Sequence, residues 1–274
     1  MAMARKNILH QRGFSLIELM ISMVIGLVVV GAVFAAYLGT STSSSSSRAV
    51  AQMTEDASLA MNVLRSQIAM AGFSAPTGID GSGKFTKNYT GMAVNGCSSE
   101  FADTTVGIDA LTCSGAGSDS IAVEFEADAR NSVVSSSGAP LDCLGNGITI
   151  AGSYYLSYSR FYINGGKLYC RGSGSNTADA LIDNIDSMVI QYGVANAATP
   201  NQVSYYSRAS GMNASEFNLA ISARVCLIVK SEREVADTAV QYYDCDGTEQ
   251  TAPDRRLYKA FTSTITLQNR MGLN

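Results

Sequence analysis

The sequence predicts an α+β protein: one long N-terminal helix, with a membrane half and an amphipathic half, followed by a C-terminal sheet-rich globular domain. Three observations carry this expectation. Residues 14–38 are apolar, with Glu18 as their single charge. Between residues 48 and 71, apolar side chains recur at three- and four-residue spacing. Beyond residue 73, glycine, serine and asparagine turns separate short β-branched and aromatic runs.

The first element is the apolar run. As a helix of about 25 residues it would span roughly 37 Å, enough to cross a hydrocarbon core of about 30 Å with some tilt. Arg5, Lys6, His10 and Arg12 precede it, and no basic residue follows until Arg48. The charge asymmetry puts the amino terminus in the cytoplasm and exports the remainder. Glu18 is costly there, since insertion scales assign roughly 2.5–3.5 kcal/mol to a charge at mid-membrane, so it needs a partner or a proton. The alternative is a glutamate that snorkels to the interface of an ordinary anchor.

The next stretch is Gly39 followed by hydroxyl residues from Thr40 to Ser47. Its modest helix propensity fits a polar link, and both a flexible linker and a continued helix remain open. Met53, Ala57, Ala60, Leu64, Ile68 and Ala71 then form the stripe of an amphipathic helix that stops at Gly72. The expected divisions are thus 1–13, 14–38, 39–72 and an exported β-rich domain, 73–274.

Within that domain the expected strands are Ser120–Ala127, Ile148–Ala151, Tyr154–Ile163, Lys167–Arg171, Met188–Val194, Phe217–Ser231, Ala239–Tyr243 and Thr262–Gln268. Asn164-Gly165-Gly166 is a hairpin turn between two of them. Residues 181–188 read instead as the start of a short helix or a turn. The six cysteines all fall in the exported part, and an even count in an oxidising compartment favours disulfides. Folding residues 217–245 about a turn near Glu234–Asp237 sets Cys226 opposite Cys245. Proximity along the chain suggests Cys97 with Cys113 and Cys143 with Cys170.

Several function classes are disfavoured. Without Arg5, Lys6 and Arg12 the chain holds 16 basic against 23 acidic residues, a net charge near −7, so the basic footprint of a nucleic-acid binder is missing. The only histidine is His10, which leaves the exported part without a Ser-His-Asp or Cys-His site and without the usual nitrogen ligands for zinc. No nucleophile or phosphate-loop motif is present, no cofactor is expected, and the protein does not read as an enzyme. Asp244, Asp246 and Glu249 surround a glycine turn without the spacing of an EF-hand. They read as a solvated acidic turn, with calcium as the alternative. Tyr154, Tyr155, Tyr158 and Tyr162, with Tyr205 and Tyr206, offer a binding surface or, as the blander reading, alternate faces of a sheet.

The opening RGFSLIELM resembles the class III leader of type IV prepilins. That resemblance implies cleavage after Gly13, N-methylation of Phe14 by the prepilin peptidase, and a fifth mature residue at Glu18. The new amine lies one turn before Glu18, so a neighbouring subunit offset along a filament would bring an amine to this carboxylate and neutralise it. The membrane run, RSQIAMAGF, LIDNIDSMVIQYGV, ISARVCLIVKSE and RLYKAFTSTITLQNR are similar to the PilW family of type IV pilus minor pilins. No proline lies within residues 14–38, unlike many major pilins; Gly26, Gly31 and Gly39 are the residues that loosen the helix.

The resemblance implies a non-catalytic minor pilin that co-assembles with other minor pilins and the major pilin to prime a pilus at its tip. The partners it implies are the inner-membrane assembly platform and a tip adhesin. The precursor would sit in the bacterial inner membrane with its globular domain in the periplasm. A minor pseudopilin of a type II secretion system would share the leader and Glu18. A membrane-anchored periplasmic binding domain or enzyme is the reading from a different class.

Overall fold

The computed structural model describes residues 13–175 and 177–270. Of the expected leader only Gly13 is among them; Arg5, Lys6, His10 and Arg12 lie outside the described residues. The chain divides into two compact units between Arg48 and Ala49.

One helix, α1 (Leu16–Met70), supplies the helical structure of the first unit and opens the second. The hydroxyl-rich stretch does not interrupt it: Gly39 to Ser47 is helical throughout. What the sequence presented as a polar link is therefore part of α1. Propagating an existing helix adds a hydrogen bond per residue with no new nucleation cost. The continuity still runs against local preference. With serine and threonine at about 0.5 kcal/mol each and glycine at about 1, these nine residues are roughly 5 kcal/mol less favourable than alanines. The Thr40 hydroxyl donates back to the Ala36 carbonyl at 2.9 Å.

In the second unit the expected stripe is buried. Met53, Ala57, Ala60, Leu64, Ile68 and Ala71 are each at most 2% exposed and belong to the main core. Polar residues tie down the flanks of the helix. Arg65 Nη2 donates to Ser263 Oγ at 2.6 Å, Ser159 Oγ donates to Gln67 Oε1 at 3.0 Å, and Asn269 Nδ2 donates to the Ala69 carbonyl at 3.1 Å. The helix ends because Gly72 takes a φ of +74°, and a Cβ there would lie 2.9 Å from that of Ala93.

The strands follow in chain order: β1 (Pro76–Ile79), β2 (Phe85–Lys87), β3 (Val94–Cys97), β4 (Ser120–Ala127), β5 (Ile150–Ala151), β6 (Tyr154–Asn164) and β7 (Lys167–Gly172). Then come β8 (Ala178–Asp183), β9 (Ile185–Asn196), β10 (Thr199–Ser207), the short helix α2 (Ala214–Phe217), β11 (Ala220–Lys230), β12 (Gln241–Tyr243), β13 (Glu249–Thr251) and β14 (Tyr258–Thr266). They build one antiparallel sheet in the order β3-β4-β6-β7-β8, with β5 beside β6, and a second in the order β10-β9-β11-β14. β1-β2 and β12-β13 are separate hairpins.

Both main sheets contribute to the core that holds α1. Ile121, Val123, Phe161 and Leu168 come from the first; Met188, Ile190, Val225, Leu227 and Ile265 come from the second. The chain changes sheet at Asn184, the one non-glycine residue with positive φ (65°) among those described. Asparagine tolerates this geometry because its short polar side chain bonds locally. Here Nδ2 donates to Asp56 Oδ2 on α1 at 3.0 Å, and the Asn184 carbonyl accepts from Lys230 N at 2.9 Å.

The β6–β7 hairpin turns where the sequence indicated: Asn164 pairs with Lys167, and Gly165 and Gly166 take φ of 57° and 77°, the glycine-tolerant geometry of a tight hairpin. Residues 181–188 are strand on both sides of Asn184, not a helix. Phe217 ends α2 instead of starting a strand, held by an Asn213–Glu216 capping box whose N-x-x-E signature was present in the sequence.

Three disulfides join Cys97 to Cys113, Cys143 to Cys170 and Cys226 to Cys245, with Cα separations of 5.5, 6.5 and 5.8 Å. The last pair was anticipated from a hairpin that does not form. β11 pairs with β9 and β14, so Cys226 faces Val189 and Thr262 across the ladder, while β12 pairs with β13. The bridge ties the small β12–β13 hairpin to the second sheet.

Leu64 is fully buried where α1 meets the core. Leu64→Ala should lower the stability of the exported domain by about 3 kcal/mol, read as a shift in its urea unfolding midpoint, whereas Leu59→Ala, at a position 53% exposed, should leave the midpoint nearly unchanged.

Candidate functional site

The N-terminal motif sits at the start of α1. Gly13, Phe14 and Ser15 precede the helix, and Glu18 lies in its first turn. Leu19 N donates to the Ser15 carbonyl at 3.2 Å, and Ser22 Oγ donates to the Glu18 carbonyl at 2.7 Å. Phe14 is 82% exposed and a Cβ on Gly13 would meet nothing within 4 Å. The backbone on both sides of the expected cleavage bond is thus accessible. Among the described residues the Glu18 carboxylate makes no ion pair.

The apolar surface behind this motif is also uncovered. The most apolar window of α1 has a mean hydropathy of 2.7, with none of it buried. Cβ atoms built on Gly26 and Gly31 would meet nothing within 4 Å. Among the described residues, nothing packs against these glycines.

The sheet-rich domain buries charge for structural ends. Arg160 on β6 is 2% exposed and donates through Nη2 to Glu124 Oε1 on β4 at 3.1 Å and to the Val106 carbonyl at 3.0 Å. Its guanidinium carbon lies 4.4 Å from the centre of the Tyr158 ring. The Tyr89 hydroxyl donates to the Met92 carbonyl and stands 3.2 Å from Glu124 Oε2. Burial, then the nearby Glu124 charge, push the Tyr89 phenol far above its usual range. Glu126 accepts from Ser74 Oγ at 2.5 Å, Ala75 N at 3.1 Å and Asn88 Nδ2 at 3.1 Å. These two glutamates pin the segments flanking the β1–β2 hairpin onto the first sheet. This network was not expected from the sequence, although SIAVEFEA and SRFYI carry its signal as charges inside strand-like apolar runs.

The remaining candidates are dispersed. Asp244 Oδ1 accepts from Asp246 N and Thr248 N, both at 2.9 Å, and its Oδ2 accepts from Gln250 Nε2 at 2.9 Å. The Thr248 amide bond leads the causes that hold the Asp244 carboxyl below its usual range. Asp246 takes both oxygens to Arg208 Nη2, at 2.6 and 2.7 Å, and Glu249 is exposed on β13. Asp244 closes the turn and Asp246 ties it to Arg208; among the described residues no group of three His, Cys, Asp or Glu side chains forms a metal cluster.

All six cysteines are in disulfides, so none offers a nucleophilic thiol. The tyrosines do not form one surface. Tyr162 stacks on Tyr169 at 5.6 Å, Tyr154 and Tyr155 are half-buried, and Tyr205 and Tyr206 are exposed on the edge strand β10. There Tyr205 donates its hydroxyl to Glu216 at 2.8 Å, and Arg224 covers the Tyr206 ring at 4.2 Å.

Comparison with known proteins fits this arrangement. Residues 8–34 match the prokaryotic N-terminal methylation motif, and residues 153–269, from β6 to beyond β14, match the family of the type IV pilus-assembly protein W. The chain is therefore a type IV pilin-like protein. More particularly, its residues 153–269 form a region that matches the PilW family. A type IV-like pilin from Thermus thermophilus superposes on 80% of this chain and 97% of its own, at 11% identity and a TM-score of 0.43. No curated protein matches the sequence.

Asp119, just before β4, provides a pH test of the packing. It is 6% exposed and accepts from Ile190 N at 2.8 Å, and burial raises its carboxyl above the usual value. A carboxyl raised in the folded state opposes folding once ionised, so its cost is absent below the unfolded value of about 3.9 and grows as pH climbs through the folded one. Asp119→Asn keeps an oxygen for Ile190 N and removes the charge. The stability of the variant relative to the natural protein should therefore be greater at pH 7 than at pH 4 in parallel urea titrations; an equal difference at both would remove the buried charge as the cause.

Proposed function

We propose that this chain is a non-catalytic minor pilin that co-assembles with other minor pilins and the major pilin to prime a type IV pilus, at the filament tip. The observation that carries this reading is the contrast between the two parts of α1. The stripe from Met53 to Ala71 is buried in the core, whereas the apolar segment behind Glu18 is covered by nothing among the described residues.

Lipid is one cover for that segment, and a bundle of neighbouring helices is the other. Helices already surrounded by lipid associate through close packing at small residues and through polar groups. Gly26, Gly31 and the alanines at 32, 35 and 36 supply small side chains. Glu18 supplies the polar term. After cleavage at Gly13, the methylated amine of Phe14 on an adjacent subunit neutralises the Glu18 carboxylate and replaces a costly buried charge by a pair. The prepilin peptidase and the inner-membrane assembly platform act on the precursor, with the disulfide-braced domain in the periplasm, where bridges persist. That domain chooses partners laterally and, at a tip, carries an adhesin. Calcium at Asp244, Asp246 and Glu249 is not part of this proposal, because Asp244 and Asp246 are already engaged.

The sharing of leader and Glu18 with pseudopilins leaves a type II secretion role as the second reading. A deletion strain with retraction disabled separates them: loss of surface pili with exoprotein secretion intact supports the pilus role, and normal piliation with lost secretion transfers the protein to secretion. Gly13→Val should abolish cleavage, seen as retention of the leader in the mass of the membrane-bound chain. Glu18→Ala should leave processing and membrane insertion intact while at least tenfold fewer partner pilins co-purify; full recovery of partners would remove Glu18 from assembly.

A further inference from the structure

The two main sheets end in four edge strands, β3, β8, β10 and β14, and an open edge recruits other strands unless it is short, charged, bulged or broken by proline. Three of the four are blunted in this way. β3 has four residues, β8 carries Asp179 and Asp183 and shifts register against β7, and β10 carries Pro200 and shifts register twice against β9. β14 is not blunted. It pairs with β11 over nine consecutive residues without a register shift, and from Ala260 to Thr266 it has no charge, no glycine and no proline.

The ladder fixes which way the backbone of β14 points. Just past its two ends, Leu267 N donates to the Ile221 carbonyl and Ser231 N donates to the Leu257 carbonyl, both at 2.9 Å. In an antiparallel pair, residues that exchange hydrogen bonds alternate with residues that do not, so in this register the odd-numbered residues of β14 bond to β11. The N–H and C=O of Ala260, Thr262, Thr264 and Thr266 therefore point away from the sheet, successive residues about 7 Å apart. Among the described residues no hydrogen bond from another segment reaches these groups. The side chains of Thr262, Thr264 and Thr266 are exposed as well, and β-branched side chains pair well across strands.

The opposite face of the edge adds a charge preference. Lys259 is exposed, with Nζ 5.2 Å from the centre of the Phe261 ring, and Arg65 of α1 reaches Ser263 Oγ at 2.6 Å. Neither makes an ion pair among the described residues. Two unpaired cations on one face of an otherwise neutral edge complement carboxylates on the same face of an added strand. We propose that β14 is a docking edge for an extended strand of a second protein, one with acidic residues on the face that meets Lys259 and Arg65. The strand joins the sheet through the backbone of Thr262, Thr264 and Thr266. The edge belongs to the sheet-rich domain and does not depend on the pilus reading.

The test is photo-crosslinking of the full chain in its own cells, with benzoylphenylalanine placed at Thr262 or at Thr264 and the adducts mapped by mass spectrometry. The expected result is one partner protein, joined from the two positions at residues two apart within a single stretch that carries Asp or Glu. Sites three or four apart, as on a helix, sites scattered over several proteins, a second copy of this chain, or no adduct overturn the proposal. Thr264→Pro removes an outward N–H and leaves the inner ladder intact, so it should lower the adduct from position 262 at least tenfold while the urea midpoint of the domain stays nearly unchanged. Lys259→Glu, at an exposed side chain, should lower that adduct at least threefold, and it decides alone if the proline variant does not fold. An undiminished adduct in either folded variant overturns the proposal.

Discussion

The burial of one helical stripe organises the sheet-rich domain. Met53, Ala57, Ala60, Leu64, Ile68 and Ala71 bring the second half of α1 into a core shared by both antiparallel sheets. The stripe combines three alanines with the larger Met53, Leu64 and Ile68, which allows close approach at some turns and interdigitation at others. Asn184 makes this arrangement self-consistent. It turns the chain from one sheet to the other and, through Asp56, fastens that turn to the same helix. The helix thus serves as the common element against which two sheets, each with its own hydrogen-bond ladder, are registered.

The disulfides and buried charges act at the periphery of this core. Cys226–Cys245 fastens the β12–β13 hairpin, and Cys97–Cys113 fastens the loop ahead of β4. Closing loops of sequence separation 19 and 16 contributes roughly 3 kcal/mol each in the chain-entropy picture. Arg160 and Glu124 are paired inside, where removing one partner would leave an uncompensated charge.

The functional surface has a different physical character. Its decisive feature is apolar area left uncovered by the chain itself, headed by a glutamate without a partner among the described residues. Exposed apolar helix is costly in water and unremarkable in lipid or in a helical bundle. In the proposed minor-pilin role, this surface is covered by lipid while the subunit is stored in a membrane and by neighbouring helices once it is assembled.

The sequence by itself determined the local features. The apolar run and its flanking charges, the stripe from Met53 to Ala71, the strand Ser120–Ala127, and the glycine turn after Asn164 all follow from short-range periodicity or from backbone conformations open to few residues. The motif residues Gly13, Phe14 and Glu18 were legible for the same reason: chemistry is written at fixed spacing along one segment. Tertiary structure alone decided the rest. Cys226 meets Cys245 without a shared hairpin because β11 takes its partners from distant strands, β9 and β14, and pairing between remote segments leaves no local trace. The edge strand β10, exposed on both faces, shows no alternation to read. Gly39–Ser47 is helical because its neighbours are, and the Arg160–Glu124 pair exists because two strands remote in sequence became adjacent. Burial between distant residues is a property of the packed molecule, which fixes it only after the local elements have met.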